Sequence, residues 1–267
     1  MWVERSLNSP STLHALANVD AMLARPDCVI IKDERKIRVG RVPLSAADGS
    51  TSVYIKRYNC FSLRYRIQSL LVRSGAVRSL RGAAILRETQ IATARPVAAV
   101  EVRRWGMLES SFYISEEITA AKTVDAYWRE KLRILVGPFG FRARRRFLTG
   151  LSRLFQRLHA ARVYHNDLKD FNILVHENGG GEEEFFLVDL EGVRRCHYLS
   201  ARRRVKNLVQ LNRTLGSFLT RTEKLNFLKS YLSGESQSHK ALARWVNRIL
   251  AAGPAPQRSR DERLSRL

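Results

Sequence analysis

The sequence predicts an α+β chain in two lobes: a small antiparallel β lobe with one helix, followed by a larger helical lobe. Three observations predict it. Short segments of alternating apolar and polar residues recur up to residue 118, helical periodicity dominates from 119 onward, and one polar hairpin interrupts the helical half. The expected boundaries are 1–118 for the β-rich lobe, 119–252 for the helical lobe and 253–267 for a basic tail. A length of 267 residues suits one large domain or two lobes sharing a core. A hydrophobic content of 45% argues for a packed protein and against general disorder.

In the first lobe, "CVII" (28–31) and "KIRVGRVPL" (36–44) read as strands joined by the turn "KDER". The turn "SAADGS" leads into "TSVYIKRY" (51–58), where Val53 and Ile55 alternate with Tyr54 and Lys56. An arginine-rich helical stretch follows. Gly75 and Gly82 are expected to divide it, leaving a helix from about Leu80 to Ala94. "PVAAVEVRR" and "SSFYISEEI" read as two further strands separated by "WGMLE". Then the period changes: Phe147, Leu148, Leu151, Leu154, Phe155 and Leu158 fall on one helical face with arginines opposite. Helices are expected near 202–219, 222–233 and 239–251. The tail opens with two prolines and is expected to be loosely ordered.

Charge is the compositional outlier. Lys and Arg total 47 against 25 acidic residues, a formal +22. Such an excess points to a polyanionic partner: nucleic acid, an anionic membrane surface or a phosphorylated substrate. An arginine-rich proteome would account for part of it. Cys28, Cys60 and Cys196 are widely spaced and odd in number, so neither a disulfide framework nor a zinc knuckle follows, and a reducing compartment is expected. The N-terminus lacks a basic region leading into an apolar one, so no secretory signal is expected. No stretch approaches the roughly 20 apolar residues of a membrane span.

The chemistry concentrates in "VYHNDLKDFNILV" (163–175). Phosphoryl transfer from a nucleotide needs a lysine on the phosphates, a carboxylate to fix it, a second carboxylate to orient the acceptor hydroxyl, and an Asn and an Asp to hold magnesium. The sequence offers these in order. Lys56 lies on a strand, and Glu88 on the helix of the β-rich lobe, within expected reach of Lys56. Asp167 is followed by Asn172, and Asp189 ends the strand "FFLVD". Lys169, two residues past Asp167, is placed to neutralise the transferring phosphoryl group. Glu116 to Ile118 sit where backbone would pair with an adenine edge. The turn "DERKIRVG" stands where a glycine-rich loop would cover phosphates, though it has only Gly40. Taken singly, each residue has an ordinary structural use: Lys56 an edge-strand lysine, Glu88 a solvated charge, His165 a loop brace, Asn172 a turn cap, Asp189 a bulge residue. Their joint order is what points to catalysis.

This loop resembles the catalytic loop of the protein-kinase-like fold, which small-molecule kinases share, and the resemblance implies a bilobal kinase-like architecture using ATP and Mg2+. Asp189 is followed by Leu190 and Glu191 instead of Phe-Gly, and only about a dozen residues separate it from the next helix. That leaves little platform for a peptide and favours a small or lipid-borne acceptor. With "YIKRY", "LRGAAILRE", "LVDLEGVR" and "RRRVKNLVQLNRTL", the chain resembles the bacterial lipopolysaccharide core (Kdo/heptose) kinase family over about residues 28–220. Asn207-Leu208 and Arg213-Thr214-Leu215 match its later motif. The resemblance implies an ATP- and magnesium-dependent kinase of inner-core sugars, peripheral on the cytoplasmic membrane face. Asp167 would be its catalytic residue, Lys56 the nucleotide lysine, and Glu191 a third carboxylate of altered length.

A lipopolysaccharide core glycolipid is the expected substrate and an anionic membrane surface the expected partner; no nucleic acid is expected, and the chain is expected to be a monomer. Two arginine clusters are placed to engage lipid or substrate anions: Arg64, Arg66, Arg73, Arg78 and Arg81 amid Phe61, Leu63, Ile67, Leu70, Leu71 and Val72, and Arg142, Arg144, Arg145 and Arg146 beside Phe139 and Phe141. Two other readings stay open: a phosphotransferase of the aminoglycoside/choline kinase type, and a non-catalytic kinase-fold module that binds RNA or membrane. The net charge speaks against a cationic substrate, and the complete set of five residues against a non-catalytic module.

Overall fold

In a computed structural model the described residues are 1–4, 10–46, 49–60, 62–234 and 238–253, and they form two compact units. The first comprises the described residues of Met1–Ala121 together with Leu174–Arg195. The second comprises Lys122–Ile173 and the described residues from Cys196 onward. The segment carrying Asp189 thus groups with the first unit, where a single cut at 118 assigns it to the second. The reason is a non-local bond: Leu187 N donates to Ala92 O (2.9 Å) and Thr93 Oγ1 to Leu187 O (2.6 Å).

Alternation in the first unit builds a six-stranded antiparallel sheet. Its strands are β1 (Trp2–Val3), β2 (Val29–Asp33), β3 (Ile37–Ala46), β4 (Gly49–Asn59), β5 (Pro96–Arg104) and β6 (Met107–Glu116), in the order β1-β5-β6-β4-β3-β2. Because successive strand residues point to opposite faces, Val53 and Ile55 enter one core while Lys56 and Tyr58 face the other side. The first core is closed by α1 (Pro10–Ala17) and α2 (Val19–Leu23), which contribute Leu16, Val19, Met22 and Leu23.

The expectation of one helix in this lobe is therefore corrected. The described residues contain α1, α2, α3 (Leu63–Gln68) and α4 (Gly75–Glu88). A sheet apolar on both faces needs a cover on each, and eight- and five-residue helices leave too short a period to stand out in sequence.

Helix α4 is also uninterrupted, contrary to the expected break at Gly82. Ser74 caps it by accepting from Val77 N (3.2 Å). Gly82 is a packing residue: a Cβ there would lie 2.3 Å from Leu190 O, so the bare backbone lets the helix approach the segment after Asp189.

In the second unit, α5 (Val124–Tyr127) runs into a π turn, Trp128–Leu132, ahead of α6 (Gly137–Ala160). Phe147, Leu148, Leu151, Leu154, Phe155 and Leu158 of α6 are all buried, as the spacing predicts. Tyr127 stacks on Phe147 at 5.4 Å, and Phe155 meets Phe227 edge-on at 5.8 Å. Among the described residues three α-helices follow: α7 (Ala201–Thr214), α8 (Arg221–Tyr231), which opens on a Thr220/Glu223 capping box, and α9 (His239–Ala252). The tail from 254 and Phe61 lie outside the described residues. No described helix is long and apolar enough to cross a membrane.

Candidate active site

The second unit brings Asp167, Lys169 and Asn172 together. Strand Val163–His165 and the 3-10 turn Asp170–Asn172 bracket them. Lys169 Nζ pairs with Asp167 Oδ2 at 2.8 Å, and Asn172 Nδ2 donates to Asp167 O (2.8 Å) and to Oδ2 (3.2 Å). The Asp167 and Lys169 side chains are partly exposed, whereas Asn172 and His165 are buried; His165 Nδ1 accepts from Asp167 N (3.2 Å). That bond engages the Nδ1 lone pair of a fully buried ring, which makes His165 a loop brace and not a base.

Beneath the loop lies a buried relay to which sequence reasoning assigns no role. Asn207 Nδ2 donates to His165 O (2.5 Å) and to Gln210 Oε1 (3.0 Å). Gln210 Oε1 accepts from Leu168 N (3.1 Å), and its Nε2 donates to Asn166 O (2.7 Å). Two side chains of α7 thus hold the loop's backbone at three positions. Asn207 Oδ1 in turn meets His159 Nε2 (3.2 Å), whose Nδ1 meets Tyr231 Oη (2.8 Å). Asn207 Oδ1 can only accept, so His159 carries its proton on Nε2, and Nδ1 of the neutral ring accepts from Tyr231, whose oxygen accepts from Arg204 Nε. Burial, opposed by the Asn207 bond and aided by Arg204, lowers the His159 pKa to about 4. The matched motif around Asn207-Leu208 is the available signal in sequence; its mechanical role is not legible there.

Asp170, to which the sequence gives no role, is buried and structural. It accepts from Phe171 N (2.9 Å) and has its pKa raised, chiefly by burial.

In the first unit Lys56 Nζ pairs with Asp189 Oδ1 at 2.5 Å and lies 5.0 Å above the Tyr58 ring. Tyr58 Oη shares a hydrogen bond with Ser79 Oγ (2.8 Å), which ties β4 to α4. Asp189 sits in the left-handed region (φ 60°, ψ 56°), a conformation Asp tolerates better than bulkier residues do.

The expected Lys56–Glu88 contact is not the one formed. Glu88, the last residue of α4, pairs with Arg195 at 3.6 Å, both side chains being about 60% exposed (62% and 59%). Glu191 pairs with Arg78 at 3.6 Å. Together with the Gly82–Leu190 approach, these pairs fasten α4 to the segment 189–195, and Lys56 takes the nearer carboxylate.

Glu116 ends β6, where its amide donates to Arg95 O (2.9 Å) and its carboxylate pairs with Arg95 at 3.4 Å. The Glu117 amide donates to Ser52 O (2.9 Å). Among the described residues the Ile118 amide has no such partner, so of the expected adenine-facing donors it is the one that is open. Gly40 serves packing: a Cβ there would lie 2.7 Å from Leu23 Cδ2 and 2.8 Å from Cys28 Sγ.

The arginine clusters also divide. Arg66 pairs with Glu109 at 3.2 Å and Arg78 with Glu191. Arg81 lines a cavity of about 700 Å3 with Arg87 and Arg95. Arg144 turns inward to Glu223 (3.1 Å) and Leu135 O (2.8 Å), leaving Arg142, Arg145 and Arg146 on the outer face.

Oxygen donors suited to a hard cation are present in each unit. Both Asn172 bonds to Asp167 use Nδ2, which leaves Oδ1 open, and Asp189 engages Lys56 through one carboxylate oxygen only. Each is an oxygen of the kind magnesium takes, and within the first unit the Ile118 amide and Lys56 are groups of the kind a nucleotide takes.

No curated protein matches the chain. A solved structure of WaaP in complex with acyl carrier protein is similar in fold, with 22% identity and a TM-score of 0.63 over 93% of this chain and 97% of that one. The antiparallel sheet and helices described above thus have a counterpart along nearly the whole chain. The family model for lipopolysaccharide kinases (Kdo/WaaP) matches residues 52–231, a span from the strand of Lys56 through Glu88, the Asp167 loop and Asp189 to the end of α8. By that match over more than half its length, the chain belongs to the lipopolysaccharide kinase (Kdo/WaaP) family.

Proposed function

We propose that the protein transfers the γ-phosphoryl group of ATP to a sugar hydroxyl, of Kdo or heptose, in the lipopolysaccharide inner core, working as a bilobal kinase-like enzyme at the cytoplasmic membrane face. The observation that carries the reading is the Asp167 carboxylate. It is held by Lys169 and Asn172 on a loop anchored from below by Asn207, within a chain of the lipopolysaccharide kinase family. Asp167 accepts the proton of the attacking hydroxyl, and Lys169 neutralises charge on the transferring group. Lys56 anchors the nucleotide phosphates, and the Ile118 amide pairs with the base. Asn172 and Asp189 would each offer an oxygen to magnesium, which would supply charge neutralisation at the phosphates. By likeness to the WaaP structure, an acyl carrier protein is a candidate partner.

The test incubates purified protein with labelled ATP, magnesium and a panel of acceptors: Kdo-lipid A, heptosylated core, aminoglycosides and a generic protein. Label is expected in a core glycolipid, and Asp167→Ala is expected to lower the rate by about 10²–10⁴-fold. Label on an aminoglycoside instead would move the protein to the small-molecule phosphotransferases. Label on no acceptor would sink the lipopolysaccharide assignment.

A further inference from the structure

The turn joining β5 to β6 consists of Trp105 and Gly106, both in the left-handed region at φ 51° and 79°. Two consecutive positive φ values make a type I′ hairpin turn, whose first position ordinarily takes Asn, Asp or Gly because a larger side chain is strained there. Here a tryptophan occupies it, 80% exposed. A strained residue held at the surface, where nothing in the fold demands it, points to use outside the fold.

Helix α3 and the turn after it lie against the same hairpin. Ser69 Oγ accepts from Leu108 N (2.9 Å), Arg66 pairs with Glu109, and Leu70 Cδ2 is 3.8 Å from where Gly106 would carry a Cβ. Leu70, Leu71 and Val72 are exposed, Leu71 to 93%. Hairpin tip and turn thus present adjoining exposed apolar side chains, Trp105 beside Leu70, Leu71 and Val72, a grouping soluble proteins rarely leave uncovered.

Its charge is one-sided. The nearby carboxylates are already engaged, Glu109 by Arg66 and Glu101 by Arg103 (3.1 Å). Arg64, Arg73 and Arg104 are exposed with no carboxylate partner among the described residues, and the Arg104 guanidinium stacks 4.6 Å over the Trp105 ring.

We propose that this surface docks on an anionic lipid bilayer, Trp105 and Leu71 entering the headgroup–acyl boundary while Arg64, Arg73 and Arg104 meet lipid phosphates. The observations favour a bilayer over a folded protein partner: exposed apolar side chains of the hairpin tip and the turn share one stretch of surface with arginines that have no carboxylate partner among the described residues, so apolar contact and positive charge come together as an anionic lipid surface requires. Tryptophan prefers this interfacial depth, and arginine is drawn to anionic headgroups. The inference rests on the proposed membrane location and adds the surface that makes the contact; its test does not depend on phosphotransfer.

The full chain is floated with vesicles of phosphatidylglycerol and phosphatidylethanolamine, and separately with phosphatidylcholine vesicles. The wild type is expected on the anionic vesicles, with tryptophan emission quenched by brominated lipid. Trp105→Asn gives the turn its preferred residue, so it is expected to melt at or above the wild-type temperature while binding anionic vesicles roughly tenfold more weakly. Leu71→Ser, at an almost fully exposed side chain, is expected to act in the same direction. Wild-type failure to bind anionic vesicles, or undiminished binding by both variants, would overturn the proposal. So would binding that moves instead with Phe139→Ser in the second unit. A dead phosphotransferase that still floats leaves the surface intact and removes only the catalytic reading.

Discussion

The loop around Asp167 and the sheet around Lys56 are held in unlike ways. Beneath the loop, neutral polar side chains close a buried network: Asn207 and His165 are fully buried, His159 nearly so, and each finds its partner in the core of the second unit. Around Lys56, fixation relies on ion pairs between partly exposed groups, Lys56–Asp189, Arg78–Glu191 and Glu88–Arg195. A buried network is expensive to half-break, because the partner left behind cannot turn to water. An exposed pair is exchanged at little cost. The loop is thus preorganised before any substrate arrives, while the lysine is held by a single ion pair to Asp189.

The sharpest way to break that contrast is to remove Lys56 and Glu88 separately. Lys56→Met is expected to lower kcat/KM by about 10²–10³-fold, the loss typical of one preorganised donor aimed at developing charge. Glu88→Gln is expected to cost no more than about fivefold, the size of one solvent-exposed ion pair. Steady-state kinetics on the two variants decide it. Equal losses would mean that Lys56 exchanges Asp189 for Glu88 during turnover, and that the ionic half is held as firmly to one arrangement as the loop is.

Next in size is Asn207→Ala. It removes at once the bond donated to His165 O and the bond accepted from His159 Nε2, both made by buried groups. The expected cost is about 2–3 kcal/mol, seen as a fall of roughly 5 °C or more in melting temperature. Arg195→Gln, which cuts the exposed pair to Glu88, should change the same measurement by less than about 1 kcal/mol. A fall as large in Arg195→Gln would show that segment 189–195 depends on its ion pair as the loop depends on Asn207.

What the sequence made legible follows the same divide. Val53 and Ile55 reveal their strand by alternation, α6 reveals its buried face by spacing, and Asp167, Lys169 and Asn172 meet because residues of one tight turn cannot avoid meeting. All of this is local. Partners set by tertiary placement were not legible. Glu88 is one, since the rotation of α4 brings its end to Arg195. Gly82 is another, a helix breaker by propensity that here admits Leu190 O. Asn207 belongs with them, because a polar residue on a buried helix face has no period to announce it. The strand leading to Asp189 reaches the rest of the first unit through bonds to Ala92 and Thr93, nearly a hundred residues away in sequence.

The smallest effect comes from the far end of the buried network and would show directly that His159 is held neutral. Its folded pKa of about 4 lies below the ordinary 6.5. The unfolded chain therefore binds the proton more readily, and the stability that neutral His159 contributes is complete above pH 6.5 and declines as pH falls toward 4. Between pH 7 and pH 5.5 the loss should be about 1 kcal/mol, a few degrees in melting temperature for a chain of this length. His159→Gln removes the titration, so its melting temperature should be lower at pH 7 yet flatter across that window, and the difference between the two curves isolates the histidine from other titrating groups. If the curves run parallel, the proton is accommodated in the fold. Tyr231 would then have to turn its oxygen to a charged ring already shadowed by Arg204, and the network under Asp167 would be as exchangeable as the ion pairs around Lys56.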